Sequence, residues 1–342
     1  MDVNKPTTIS IALCTYNGER FLQQQLDTIA AQTSLPSELV ICDDKSADST
    51  PNILRKFAAT APFPVKLHFN ETNLGYLKNF EKAVSLCSGD IIAFSDQDDL
   101  WRPDKLAMFL QSFSNPDIGM AFSNAALIDG HGKLTGQMLW DRARIDEETK
   151  KAFAQGEGYK TLHLRNAIHG CTMAFRSKWW PLIESFPSDA HLMHDGWIAL
   201  MTSLFAEVVM IDEPLLKYRL HAQQATQVER REQAAFKKAK GRKQSKISRY
   251  KMSLRQLHAI RARVAKCHQH ISPDKQQYLS RYARENELHT QLRLDILEGK
   301  SVSPQRIYRE LKSGRYHRFS HGPANALRDF LLMLSKSTFA QA

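Results

Sequence analysis

The stretch DIIAFSDQDDLW, residues 90–101, decides how this chain folds. Its first half, Asp90 to Ser95, is an apolar run of the length expected for a strand buried on both faces. Its second half places Asp96, Asp98 and Asp99 within four residues, and carboxylates so close repel one another unless a cation neutralises them. An acidic turn directly after a buried strand is therefore a candidate site for Mn²⁺ or Mg²⁺, which prefer oxygen ligands and readily share them with phosphate and water. Asp96 and Asp98, two residues apart, are placed to share the ion directly or through water. A solvated turn capping the helix near Pro103 would use Asp99 alone and would leave Trp101 idle.

Working outward, the same strand-to-helix pattern recurs. ISIALC predicts a first strand to Cys14, and Leu22, Leu26, Ile29 and Ala30 at helical spacing predict a helix over 19–32. ELVIC predicts a second strand running into Asp43, and Asp48, Ser49, Thr50 and Pro51 open a second helix. VKLHF predicts a third strand, and Phe80 and Val84 mark a third helix. This alternation argues for an α/β fold with a mostly parallel central sheet wrapped by helices.

In such sheets the ligand crevice lies beyond the carboxyl ends of the strands. Strand one delivers Thr15, Tyr16, Asn17 and Glu19, strand two Asp43 and Asp44, strand three Asn73 and Gly75, and strand four Asp96, Gln97 and Asp98. The chain has no glycine-rich phosphate loop, so a bound diphosphate would need the metal together with Lys or Arg. Lys78, at the start of the third helix, is a candidate.

Beyond residue 125 the alternation weakens. Gly130 to Tyr159 reads as a long loop with short elements. CTMAF then predicts a strand, KWWPLIESF a helix, HDGW an acidic turn into the apolar helix WIALMTSLFA, and EVVMID a last strand. The expected division is a catalytic domain over 1–227, with halves 8–125 and 126–227, followed by a helical region over 228–342 broken at Ser272–Pro273 and Gly299. Residues 226–342 hold 26 Lys and Arg against 9 Asp and Glu, a net of +17, leaving 21 against 27, or −6, for residues 1–225. That polarity suits a C-terminal region facing a polyanion. Ala326, Leu327, Phe330, Leu331 and Leu334 form an apolar face suited to surface insertion or to oligomer packing. Five well-separated cysteines read as reduced thiols, and no window is apolar enough for a membrane span. The expected location is cytoplasmic, peripheral to the inner face of the cytoplasmic membrane.

The strings ALCTYNGERFLQQQLDTIAAQT, VICDDKSADST, NLGYLKNFEKAV and FSDQDDLWRPDKL together resemble the donor half of family 2 glycosyltransferases, which have the type A (GT-A) fold, and within them bacterial rhamnosyltransferase-like members. The resemblance implies that Thr15, Tyr16, Asp43 and Asp44 hold the nucleotide base and ribose, and that Asp96-Gln97-Asp98 is the family's DxD metal motif. A weaker similarity over 165–222 places the family's catalytic base at Asp195 in MHDGW, with His194 standing where many members carry another acid. YRLHAQQ resembles a segment in which some members use a histidine near the metal, making His221 a third candidate ligand and Arg219 a phosphate partner. The implied activity is inverting transfer of a sugar, rhamnose or another deoxysugar, from a dTDP- or UDP-linked donor to a saccharide or lipid-linked acceptor in bacterial surface polysaccharide synthesis. Two other classes compete: an inactive sugar-nucleotide-binding protein, against which the DxD cluster and Asp195 argue, and a nucleic-acid-binding protein. The basic tail lacks the interleaved aromatics of a nucleic-acid module, so no nucleic-acid partner is expected.

Overall fold

A computed structural model of the chain describes residues 6–187 and 193–337, with side chains at 225–240 and 335–337 outside the description. It divides into two compact units, one comprising residues through Phe186 and again from 193 to His221, the other beginning at Ala222.

The first unit is built on one nine-stranded sheet. Its strands are β1 (Ile9–Thr15), β2 (Glu38–Asp43), β3 (Val65–Phe69), β4 (Ile91–Ser95), β5 (Leu100–Trp101), β6 (Ile118–Ile128), β7 (Leu134–Met138), β8 (Met173–Arg176) and β9 (Glu207–Arg219). The order is β3-β2-β1-β4-β8-β6-β9-β5, with β7 paired to β6. The three ladders joining β1 to β4 are parallel, β8 runs antiparallel between β4 and β6, and β9 returns parallel to β6. β2 and β4 are buried along their whole length, which is why they read as continuous apolar runs rather than alternating ones.

Helices α1 (Leu22–Ala30), α2 (Thr50–Thr60), α3 (Tyr76–Ser85) and α4 (Lys105–Ser112) follow the first strands. Each buries a stripe at helical spacing, such as Leu22, Leu26 and Ile29 on α1 or Phe80, Ala83 and Val84 on α3. The stripes of α1, α2 and α4 share one core with strand residues such as Ile11, Leu13 and Ile41. The register sets the functional edge: Thr15 lies opposite Asp43, and Leu13 opposite Ser95, so the loops after β1, β2 and β4 leave the sheet together.

The anticipated loop over 130–159 contains β7, α5 (Leu139–Ala143) and α6 (Glu147–Ala154), with α7 (Gly158–Leu164) following. KWWPLIESF forms only a short helix α8 (Trp180–Ile183) after a 3₁₀ turn, because Pro181 suits a first turn and nothing extends it. α9 (His194–Phe205) is the apolar helix, and the last strand runs well past EVVMID to Arg219. Trp197 is core, its Nε1 donating to the Ile183 carbonyl.

The second unit is helical: α10 (Ala225–Lys266), kinked at Gly241, α11 (Pro273–Glu298), α12 (Pro304–Lys312), α13 (Arg315–Phe319) and α14 (Pro323–Ser337). Ser272 and Gly299 bound α11, and Gly299 takes the left-handed conformation that closes a helix. The expected single apolar face of α14 is instead two stripes. Ala326, Phe330 and Met333 pack into the core with Leu292, Ile296 and Tyr316, while Leu327, Leu331 and Leu334 stay 60%, 56% and 42% exposed. A helix that is apolar on two sides can bury only the side its neighbours cover. All five cysteines are free thiols, and among the described residues no helix is long and apolar enough to cross a membrane.

Candidate active site

The loops after β1 and β2 lock each other. Thr15 Oγ1 donates to Asp43 Oδ1 at 2.7 Å, and the Ser46 amide and hydroxyl donate to the same carboxylate. The Asn17 amide donates to Ser46 Oγ, and Asn17 Oδ1 accepts the Ala47 amide. Glu19 Oε2 accepts the Ser49 amide while the Glu19 amide donates to Asp48. Asp44 binds the third loop: its carboxylate accepts from Asn70 Nδ2 and from the Leu74 and Gly75 amides, and Asn73 Nδ2 donates to its carbonyl. Gly75 needs its positive φ of 78° to turn that loop into α3.

Gln97 reaches back to the first loop. Its Oε1 accepts the Tyr16 amide at 2.9 Å and its Nε2 donates to the Tyr16 carbonyl, a reciprocal pairing that leaves the Tyr16 ring exposed. Gly18 permits this approach, since a Cβ there would lie 2.3 Å from Gln97 Oε1. Lys78 sits apart from these bonds, half-exposed and ion-paired with Glu81 at 2.5 Å.

The acidic turn is different in kind. Burial, then Asp98, then Asp195, push the Asp96 carboxyl up to about 7, and burial followed by its acidic neighbours holds Asp99 well above the ordinary carboxylate range. Asp99 Oδ1 accepts the Arg219 amide, whereas its Oδ2 has no hydrogen-bond partner. Asp98 Oδ2 lies 2.6 Å from His221 Nε2, and Arg219 Nε donates to the Asp98 carbonyl. Arg219 is buried, over the Phe21 ring, so it braces the turn from beneath.

The anticipated trio thus splits into a bonded Asp98–His221 pair and an Asp96 that faces Asp99 and Cys171, the ligand atoms of these last three lying within 4.8 Å of one another. Two neighbouring carboxylates, one with an unpartnered oxygen, fit a hard divalent cation. Burial holds the Cys171 thiol far above its usual range, which makes it the weakest member of that set.

Asp195 stands in the first turn of α9. Its Oδ1 accepts from Asn166 Nδ2 at 2.7 Å and its Oδ2 from the Gly170 amide at 3.1 Å, so its orientation is fixed from the 166–170 segment. Gly170, whose amide holds Asp195, is followed by Cys171, whose Sγ lies within 4.8 Å of carboxylate oxygens of Asp96 and Asp99, so Asp195 and the acidic turn border the same 170–171 segment. His194 turns away: it stacks on Phe80 at 4.1 Å and 19°, with neither ring nitrogen hydrogen-bonded, and burial lowers its pKa.

Sequence reasoning missed Asn166, Gly170, Cys171 and Lys105. Lys105 is fully buried beneath the acidic turn, its Nζ 3.8 Å from the Trp101 ring centroid, and burial lowers it to about 8. Its spacing from Phe109 and Phe113 put it on the apolar stripe, the one signal that pointed to it.

A mostly parallel first half of the sheet whose carboxyl edge carries interlocked polar loops and an acidic turn is an α/β arrangement with its polar residues gathered at one end of the strands. The family described as glycosyl transferase family 2 matches residues 10–182, and the chain belongs to it; its fold is the GT-A fold. A glycosyltransferase of Nostoc sp. is 26% identical over 216 residues, 62% of this chain and 65% of the relative, so the match spans a little under two thirds of that protein's length. A dTDP-rhamnosyl transferase of Shigella flexneri is 38% identical over 98 residues, 28% of this chain and 34% of that one. Among solved structures, S. aureus TarS 1–349 in complex with UDP superposes with a TM-score of 0.51 at 16% identity, covering 96% of this chain and 89% of that one, a likeness of fold.

Proposed function

We propose that the enzyme transfers a sugar with inversion from a dTDP- or UDP-linked donor, rhamnose or another deoxysugar, to a saccharide or lipid-linked acceptor in bacterial surface polysaccharide synthesis. The observation that supports this reading is that the 170–171 segment touches both groups, the Gly170 amide donating to Asp195 and Cys171 lying within 4.8 Å of the Asp96 and Asp99 carboxylates. The similarity to a dTDP-rhamnosyl transferase over 98 residues supports the choice of donor.

Asp195 takes the proton from the acceptor hydroxyl as that oxygen attacks the anomeric carbon from the face opposite the leaving diphosphate, which inverts the centre. Asn166 and the Gly170 amide keep the carboxylate aimed. Thr15, Tyr16, Asn17, Glu19, Asp43, Asp44, Asn73, Gly75 and Gln97 form the wall for the nucleotide, with the exposed Tyr16 ring as its stacking surface and Lys78 at its outer rim. Asp96 and Asp98, with His221 joined to Asp98, would hold Mn²⁺ or Mg²⁺, which when bound neutralises the charge developing on the leaving diphosphate. The outward leucine stripe of α14 on a region of net charge +17 suits peripheral contact with anionic lipid, where a lipid-linked acceptor is presented.

The test is Asp195→Asn. Transfer from dTDP-rhamnose or a UDP-sugar, followed by nucleotide release, should fall by on the order of 10²–10⁴-fold while donor binding persists; unchanged transfer removes Asp195 as the base.

A further inference from the structure

The geometry points to Lys105 as a positioning residue that ties the acidic turn to the loop orienting Asp195. This inference rests on the assignment of Asp195 as the base.

A fully buried lysine is rare, because moving an ammonium out of water costs several kcal/mol unless it is paired. Lys105 opens α4, the helix that leaves the acidic turn, and its Nζ donates to the Cys171 carbonyl at 2.5 Å. Cys171 lies in the 3₁₀ turn Gly170–Thr172, and the amide of Gly170, one residue earlier, donates to Asp195 Oδ2. Upstream, Asn166 Nδ2 donates to Asp195 Oδ1 while Asn166 Oδ1 accepts the Ile168 amide. The segment 166–171 therefore hangs between two anchors, the ammonium at one end and the base carboxylate at the other. The negative charges of Asp96 and Asp99 act on the same ammonium, which explains why a cation is kept there. An apolar side chain without a donor would lose the carbonyl anchor and leave the two carboxylates less compensated.

There is little room for the segment to settle differently. A Cβ on Gly170 would lie 2.8 Å from His194 Nε2, so the turn packs closely against the first residue of α9, next to Asp195. The tether thus converts the position of α4 into the orientation of Asp195.

Amide hydrogen exchange on the full-length, ligand-free chain tests the link without a substrate. Lys105→Met should speed exchange of residues 166–171 at least tenfold while residues 9–44 stay within twofold, and Lys105→Arg, which keeps a charged donor, should restore most of the protection. Should Lys105→Met fail to fold, Lys105→Leu, which likewise lacks a donor, carries the same expectation. Unchanged exchange at 166–171, or a uniform rise across the sheet, overturns the tether. A second readout is a double-mutant cycle on transfer: Lys105→Met should lower the rate at least tenfold in the wild-type background and less than threefold in the Asp195→Asn background, whereas equal losses in both contradict action through Asp195. A wild-type rate for Asp195→Asn alone would strike the base assignment and leave the exchange result standing.

Discussion

Asp43 and Asp44 on one side, Asp96 and Asp99 on the other, show how one sheet edge treats acidic pairs in two ways. The first pair is met by protein: Thr15, Ser46, Asn70 and the amides of Leu74 and Gly75 all donate to it, so its charge serves to hold three loops together. The second pair has fewer donors, the Arg219 amide to Asp99 Oδ1 foremost, together with an unpartnered Asp99 oxygen and an Asp96 pushed up to about 7. A carboxylate saturated by protein hydrogen bonds builds a wall, whereas one left short of donors awaits a ligand that brings positive charge.

Substitutions can break that contrast. The largest effect expected is on turnover: Asp98→Ala should lower the transfer rate on the order of 10²–10³-fold, comparable to losing a principal electrostatic stabiliser, with the melting temperature little changed. A wild-type rate in metal-supplemented assay would put the charge stabilisation elsewhere. Asp44→Ala should instead act on folding, because Asn70 and two backbone amides lose their acceptor; a destabilisation of roughly 2–4 kcal/mol in denaturant titration is expected. If Asp44→Ala melts like wild type and Asp98→Ala does not, the fold rests on the turn after β4 rather than on Asp44.

A smaller effect concerns pH. Because the folded carboxyl of Asp96 lies near 7, above its unfolded value, its contribution to stability without metal is present at low pH and is lost as pH rises toward about 7. The same proton competes with a cation, so Mn²⁺ affinity should weaken by up to about tenfold per unit as pH falls below 7. Calorimetric titrations at pH 6 and pH 8 check it, and equal affinities would show that Asp96 is not a ligand. The smallest effect belongs to the second unit: Leu331→Glu should reduce co-sedimentation with anionic vesicles several-fold without altering transfer to a soluble acceptor. Equal sedimentation would remove the α14 stripe from membrane contact.

The donor half was legible because its signals are local. Buried parallel strands read as short apolar runs, and the residues just after them, from Thr15 to Asp98, have nowhere to go but the carboxyl edge. The place of Asp195 at a helix start was legible from HDGW ahead of the apolar run. What stayed hidden depends on contacts across the sheet order: Asn166 and Gly170 meet Asp195 only because the 166–172 segment leads into β8, inserted antiparallel between β4 and β6. Similarly, nothing in the sequence reveals that Asp44 is consumed by Leu74 and Gly75, since those partners are backbone amides of a loop 30 residues away. The double use of α14 was hidden for another reason, because a sequence shows apolar residues and not which of them a neighbouring helix covers.

The most direct test of the central claim is a calorimetric titration of Mn²⁺ into the protein at pH 8 in the presence of dTDP or UDP, repeated on Asp96→Asn. Saturable binding that requires both ion and nucleotide, and that weakens at least tenfold in the variant, is the result predicted here. Equal binding by both proteins, or no heat with either nucleotide, would show that the acidic turn after β4 does not receive a cation and a diphosphate.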